Sequence, residues 1–370
     1  MTSFNPFREI IPIPEAEKLF QMSHTAVMKT SVRGTSENVP PLLRMRRKEA
    51  TRIELLSKEL RSRLFRIVEE FPRLDSETIN AYYVEILDLS YNINELKKTL
   101  GSITGTAEVV WKIKREHLGN AWRADSVIDA KFIRRSAFGR MKSVIMQLNE
   151  RLQFLERVRQ EMRLLPGIDL NQPIFCIAGY PNVGKSSLVN TITDATPEIG
   201  VYPFTTKEVT LGHLKIPIFG SKDAIKPLTN IVLQIVDTPG ILDRPLTERN
   251  QIELRALAAI KTLATAIVFI FDFSQYEALQ AQINLLNQII DEFSHVPLLL
   301  IGSKSDLLTE EQHADFSQFW KKNFPQKEIK LLSMRDKETI IDIFINFFHS
   351  NETKIVKVMT QRAEPWIDSK

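Results

Sequence analysis

Three features of the 370-residue sequence predict an all-α helical bundle followed by an α/β domain whose six-stranded, mostly parallel sheet carries helices on both faces. Through the first 165 residues, apolar side chains recur at intervals of three and four, the spacing of one helix face. After Pro166-Gly167, short apolar runs alternate with helical stretches, as in strands joined by crossover helices. The first of those runs, 174–178, enters a glycine turn, Gly179-Tyr180-Pro181-Asn182-Val183-Gly184-Lys185-Ser186, and a helical pattern follows it. The predicted division is 1–166 for the bundle, 167–352 for the α/β domain and 353–370 for a tail.

In the first half, Ile53, Leu56, Leu60, Leu64, Ile67 and Val68 mark one stripe. Ile79, Tyr83, Ile86, Ile93 and Leu96 mark a second, with one longer gap. Val144, Leu148, Leu152, Leu155, Val158, Met162 and Leu165 mark another. Pro72 ends the first of these helices, and Asp75 can cap the next. Each helix has a single apolar face, so the helices must pack on one another. In the second half, strands are expected at "IFCIA", "EVTLGHLKI", "NIVLQIVDT", "AIVFIFDF", "PLLLIGS" and "IKLLS", with helices over 276–293, 310–323 and 337–349. The second and third strands are expected to form an antiparallel pair.

Composition narrows the function classes. The single cysteine, Cys176, rules out a disulfide framework and a cysteine-based zinc site. The N-terminus lacks a basic head followed by a long apolar stretch, and no apolar run is long enough to span a bilayer, so the expected compartment is the cytoplasm, with no membrane partner. Charge is uneven. Residues 1–170 hold 29 Lys+Arg against 22 Asp+Glu, whereas residues 171–370 hold 20 against 23. The basic half is thus distinct in charge as well as in period.

The glycine turn fits G-x-x-x-x-G-K-[ST] after a buried strand and before a helix. Its glycines let backbone N–H groups turn inward around phosphate oxygens, and the helix that follows points its positive end at the same anion. The expected nucleotide-binding set there is Asn182, Val183, Gly184, Lys185, Ser186 and Ser187. Lys185 can reach the β- and γ-phosphates, and the Ser186 hydroxyl can ligate Mg²⁺. Asp237-Thr238-Pro239-Gly240 closes the third strand. There Asp237 can hold Mg²⁺ through water, and the Gly240 N–H can meet the γ-phosphate.

The base is chosen further on. Ser303-Lys304-Ser305-Asp306 ends the "PLLLIG" strand. A buried carboxylate at Asp306 can accept from the two N–H edges of guanine, which adenine does not supply; a site built around such a pair rejects the wrong base by roughly 10⁴–10⁵. Lys304 can lay its stem over the base, and Ser333-Met334 can offer a backbone N–H to the guanine oxygen. Together these residues predict a P-loop GTPase domain that binds GTP and GDP with Mg²⁺. An ATPase or kinase is the competing reading.

The order P-loop, "DTPG", "SKSD", "SM" resembles the small-GTPase class, and "YPFTTKEVTLG" at 202–212 is similar to the switch segment of Obg-like GTPases. Within that group, "FNPF…IIPIP", the long helical N-terminal region and "GYPNVGKSS" resemble the nucleolar GTP-binding protein (Nog) family. The resemblance implies that a switch threonine ligates Mg²⁺ and senses the γ-phosphate. Thr205 and Thr206 are both candidates, with Thr206 preferred. It also implies action on the large ribosomal subunit or its precursor rRNA. The end of the chain is similar to the compact archaeal form of the family and not to the eukaryotic form with a long basic extension.

Two departures stand out. Ser303 occupies the place where the guanine motif usually has Asn, which predicts a lost contact costing on the order of 0.5–1.5 kcal/mol. Ile241 stands where a Ras-like enzyme has its water-orienting Gln, so intrinsic hydrolysis should be slow. The resemblance offers K⁺ at Asn182 as a replacement cation, against a plain turn-stabilising role for that Asn. Arg244 is a further candidate cation. The expected catalytic set is Lys185, Thr206, Gly240 and Asn182; the expected metal ligands are Ser186, Thr206 and Asp237. Residues 111–142 carry nine Lys+Arg and three acids, with Trp111, Trp122, Phe132 and Phe138 interleaved, as RNA binding demands. A solvated helix face over core aromatics is the alternative. A second basic cluster lies at 44–52. The functional expectation is a GTP-hydrolysing switch in large-subunit biogenesis. Its rivals are a GTP-dependent scaffold with little turnover and a GTPase acting on a membrane or on tRNA.

Overall fold

The structure, a computed structural model, describes residues 5–32, 39–74, 79, 81–193, 196–201, 208–218, 229–237, 242–243, 257 and 260–363. Thr205, Thr206, Gly240, Ile241 and Arg244 lie outside the described residues. The chain divides into two compact units. One comprises Pro6–Leu74 and Tyr91–Arg163; the other comprises Met1–Asn5, Asp75–Ser90 and Leu164–Lys370.

The helical unit is built from α1 (Ala16–Lys29), α2 (Pro41–Glu70), α4 (Ile93–Arg123), α5 (Val127–Met146) and α6 (Asn149–Met162). The stripe seen on α2 is its buried face, with Ile53, Leu56, Leu60 and Leu64 all at 0% exposure. Leu96, Ile103, Ala107 and Val110 of α4 and Met141 and Ile145 of α5 are likewise fully buried. Each such Leu or Ile contributes roughly 1.5–3 kcal/mol over an exposed position. The last apolar run is not one helix. It is split at Gln147–Leu148 between α5 and α6. Glu49, 2% exposed, is paired with Arg52 at 3.3 Å and with Arg134.

The longer gap in the second stripe marks a real break. Asn92 takes a left-handed φ of 54° and caps α4 through its side chain, so α3 (Ala81–Tyr91) and α4 are separate helices. Moreover, α3 packs in the other unit, so the two units do not follow the single cut expected at residue 166. Tyr82 and Tyr83 are buried there in edge-on contact. The Tyr83 hydroxyl donates to the Pro166 carbonyl at 3.1 Å and accepts from the Ile168 N–H. Glu85 accepts from the Thr262 hydroxyl at 2.8 Å, and burial pushes its carboxyl up against that bond.

The α/β unit contains β1 (Ile174–Gly179), α7 (Lys185–Ile192), β2 (Glu198–Val201), β3 (Glu208–Ile218), β4 (Thr229–Asp237), β5 (Ala266–Phe271), α8 (Leu279–Glu292), β6 (Leu298–Gly302), α9 (Glu310–Asn323), β7 (Lys330–Leu331) and α10 (Lys337–Ala363). Among the described residues the sheet has seven strands, not six, in the order β2-β3-β4-β1-β5-β6-β7. The extra strand, "EIGV", is a four-residue antiparallel edge paired with β3, too short to show a period. β3 also runs antiparallel to β4; β4, β1, β5, β6 and β7 are mutually parallel. β1 and β5 are buried along their whole length, as strands covered on both faces must be. α10 extends to Ala363, so part of the expected tail is helical.

Candidate functional site

The parallel strands all end on one side, and β1 has β4 and β5 as its two neighbours. In an open α/β sheet, the crevice beyond the carboxyl ends at such a reversal of strand order receives ligands. Gly179, Asp237, Phe271, Gly302 and Leu331 end the five parallel strands there.

The loop after β1 needs its glycines. Gly179 has φ 149°, and a Cβ there would fall 2.5 Å from the Ile270 carbonyl oxygen. Gly184 has φ 105° at the start of α7. Asn182 sits at φ 65°, a left-handed position that Asn tolerates better than most side chains. Between them Val183 is buried and anchors the loop, while Asn182, Ser186 and Ser187 are exposed at its mouth. The first N–H groups of α7 have no partner within the helix, which favours an anion in front of it.

Lys185 is buried, and its ammonium donates to the carbonyls of Gly179 at 2.8 Å and Tyr180 at 2.9 Å. Its charge is thereby held inside the loop. The Ser186 hydroxyl donates to Asp237 Oδ2 at 2.7 Å. Asp237 is 0% exposed, and its Oδ1 has no hydrogen-bond partner among the described residues. Burial pushes the Asp237 carboxyl up, opposed by the Ser186 hydrogen bond and the Lys185 charge and reinforced by Asp243. Asp243, also buried, was not singled out from the sequence.

The base side is joined to the loop by packing. Met334 packs its side chain over Gly184, with Cγ 3.5 Å from where a Cβ would stand, and its carbonyl accepts from the Thr191 hydroxyl at 3.0 Å. The Ser305 N–H donates to the Leu332 carbonyl, tying the "SKSD" turn to the loop holding Ser333. Ser303 is buried and donates to the Phe271 carbonyl. The Lys304 ammonium is 2.6 Å from Asp272 Oδ2. Asp306, expected to be buried, is exposed on a short turn, Ser305–Leu307, because that turn lifts it beyond the end of β6.

Asp272 is a further residue that the sequence reading passed over. It is 0% exposed and accepts from the Ser274 N–H and hydroxyl and from Gln275 Nε2, besides pairing with Lys304. Its signal was available: like Asp237, it is an acid ending an apolar strand at the crevice.

Among the aromatic residues of the basic stretch, Phe138 is buried and Trp111 lies half-buried under Lys114 and Arg61, whereas Trp122 and Phe132 are exposed. No described helix is long and apolar enough to cross a membrane.

A glycine loop between a buried strand and a helix, a lysine inside it, and a strand-end carboxylate on the next serine define the class: a P-loop GTPase domain behind a helical one. The comparisons agree. Residues 7–169 match the model of the NOG1 N-terminal helical domain, and residues 174–304 match that of the 50S ribosome-binding GTPase. An uncharacterized protein of Methanocaldococcus jannaschii is 32% identical over 310 residues, covering 83% of each chain. Nucleolar GTP-binding protein 1 of Caenorhabditis elegans is 31% identical over 343 residues, 90% of this chain and 48% of that one. The protein of the same name in Drosophila melanogaster is 27% identical, over 98% of this chain and 52% of that one. The chain thus spans about half the length of these two animal relatives. The chain belongs to the nucleolar GTP-binding protein 1 family.

P-loop GTPases generally use Mg²⁺, and the residues present fit it. A hard cation takes oxygen donors, and here a hydroxyl and a buried carboxylate with a spare oxygen face each other.

Proposed function

We propose that this protein is a GTP-hydrolysing switch that acts in assembly of the large ribosomal subunit. The observation that carries the reading is the Ser186–Asp237 pair beside the Lys185 ammonium: a buried acid with an unsatisfied oxygen is costly unless a cation visits it.

In this reading Lys185 leaves the Gly179 and Tyr180 carbonyls for the β- and γ-phosphates of GTP. Ser186, Asp237 and Thr206 hold Mg²⁺, which when bound offsets charge on those phosphates. The Gly240 N–H meets the γ-phosphate, which couples the segments around Thr206 and Gly240 to the state of the nucleotide. A water attacks the γ-phosphorus in line, and the bond to the bridging oxygen breaks to leave GDP and phosphate. The chain contributes positioning and charge, not a covalent intermediate. Asp306 accepts from the N1–H and N2–H₂ of guanine, Lys304 and Ser303 support the base loop, and a backbone N–H of Ser333 or Met334 meets the guanine oxygen. The helical half docks on rRNA in the GTP state, and hydrolysis releases it. Because Ile241 stands where a water-orienting Gln would, K⁺ at Asn182 is the finer part of the proposal, as the added cation. Turnover equal in K⁺ and Na⁺ would remove it. The expected compartment is the cytoplasm; a fluorescent fusion confined to a nucleolus would overturn that.

The test is calorimetry with Mg²⁺, followed by sedimentation with large subunits. GTP should bind far more tightly than ATP, and GTP should promote co-sedimentation that high salt abolishes. No preference for guanine would end the switch model. Ile241 favours a second reading, a GTP-dependent scaffold. Turnover that stays flat on adding large subunits would select it.

A further inference from the structure

α4 and α5 form a hairpin whose tip carries the strongest unassigned feature of the molecule. Ser136 lies near His117 and Arg140 pairs with Glu116, so the two helices run antiparallel. The turn between them is fixed by Ser126, which accepts from the Asp129 N–H, and by Asp129, which accepts from the Asp125 N–H. At this tip Trp122 is 44% exposed, Ile128 80% and Phe132 68%. The last two are the most exposed large apolar side chains among the described residues, and they stand four apart on one face of α5. At about 1.5 Å of rise per residue, all three lie within roughly 8 Å of the turn along the helix axes. Arg115, Arg123, Lys131 and Arg135 are exposed around them and make no ion pair among the described residues. The facing acids are Asp125 and Asp129; Glu116 is taken by Arg140.

We infer that this tip is a stacking platform for unpaired RNA bases, with the four cations on the adjoining phosphates. The inference deepens the rRNA reading above and rests on it. Trp122 and Phe132 make no ring or cation contact among the described residues and so gain from a flat π-face, and a base offers one only when it is not already stacked inside a duplex. A membrane fits poorly, because the other apolar side chains of α5, including Phe138, Met141 and Ile145, are buried in the bundle and leave no stripe to insert. An acidic peptide would satisfy the cations and leave the rings uncovered.

The experiment measures fluorescence anisotropy of two labelled RNAs with the full-length protein: a hairpin with an unpaired loop, and a blunt duplex of the same stem. Replacing both rings (W122A with F132A) should weaken the hairpin by about tenfold or more and leave the duplex unchanged. W122F with F132W should restore hairpin binding, while GTP affinity and melting temperature stay at wild type throughout. Equal loss on both RNAs, or loss on neither, overturns the platform. The rRNA reading would survive that result if R115Q, R123Q, K131Q and R135Q together abolish binding to both. Capture of phosphatidylserine vesicles or polyglutamate by a protein that binds neither RNA would overturn both.

Discussion

In the helical unit, Glu49 is buried between two arginines, and Glu156 accepts from Arg159, Gln160 and the Ile13 N–H. In the α/β unit, Asp237 is equally deep but keeps one oxygen unmatched, and a second buried acid, Asp243, pushes against it. The first arrangement ties α2 to α5 through the Glu49–Arg134 pair and the Ile13 N–H to α6. The second is left open at the end of a strand, where a ligand can close it. The difference lies in place: Glu49 stands between two helices, whereas Asp237 stands at the carboxyl end of a parallel strand, where an open α/β sheet receives ligands. On the outside, the helical unit exposes Trp122, Ile128 and Phe132.

The largest way to break this contrast lies in the base loop. Asp306→Asn should erase guanine preference, a loss of roughly 10⁴–10⁵ in discrimination, measured by competition between GTP and ATP. Unchanged preference would mean that the open groups of the α/β unit serve another ligand. Next, Tyr83→Ala should destabilise the α/β unit by about 3–5 kcal/mol in urea, as loss of a buried aromatic does, whereas Ile128→Ala should change stability by no more than about 0.5 kcal/mol. Equal effects would deny that α3 belongs to the α/β core.

The pH dependence should have opposite signs in the two units. The raised Asp237 carboxyl favours its protonated form in the fold, so nucleotide-free stability falls as pH rises through that raised range. Asp237→Asn should flatten this fall and raise the melting temperature at neutral pH while weakening Mg²⁺-dependent GTP binding. For Glu156, burial alone would raise the carboxyl, but the bonds from Arg159, Ile13 and Gln160 outweigh it and hold it low. Its contribution is present above the ordinary carboxylate range and fades as pH falls through the lowered value. Glu156→Gln should therefore cost stability at neutral pH and little in acid. The smallest expected effect is Ser303→Asn, which should tighten GDP binding by on the order of 0.5–1.5 kcal/mol if the shorter side chain forfeits a contact.

The loop from Gly179 to Ser186 was legible because its conformation depends on residue type: positive φ at two glycines and a strand that is apolar throughout. The parallel core was legible for the same reason. β2 was not, since four residues with a glycine at an edge show no period. The break at Asn92 appeared only as a gap in a stripe. The partner of α3 was invisible, because Tyr82 and Tyr83 would mark a buried face whichever unit covered them. The basic stretch shows the same limit. Spacing alone does not tell Phe138, which is core, from Phe132, which is outside. The exposure of Asp306 is not legible, because the sequence does not reveal how far a turn carries its side chain.

One feature of the chain path bears on how the protein is inherited and handled. Because Met1–Asn5 and Asp75–Ser90 go with the α/β unit, the backbone passes between the two units four times. A gene fragment starting after residue 166 would lack Tyr83, whose hydroxyl bridges Pro166 and Ile168, and would leave its niche open to water. A single cut after residue 166 therefore does not separate the two units.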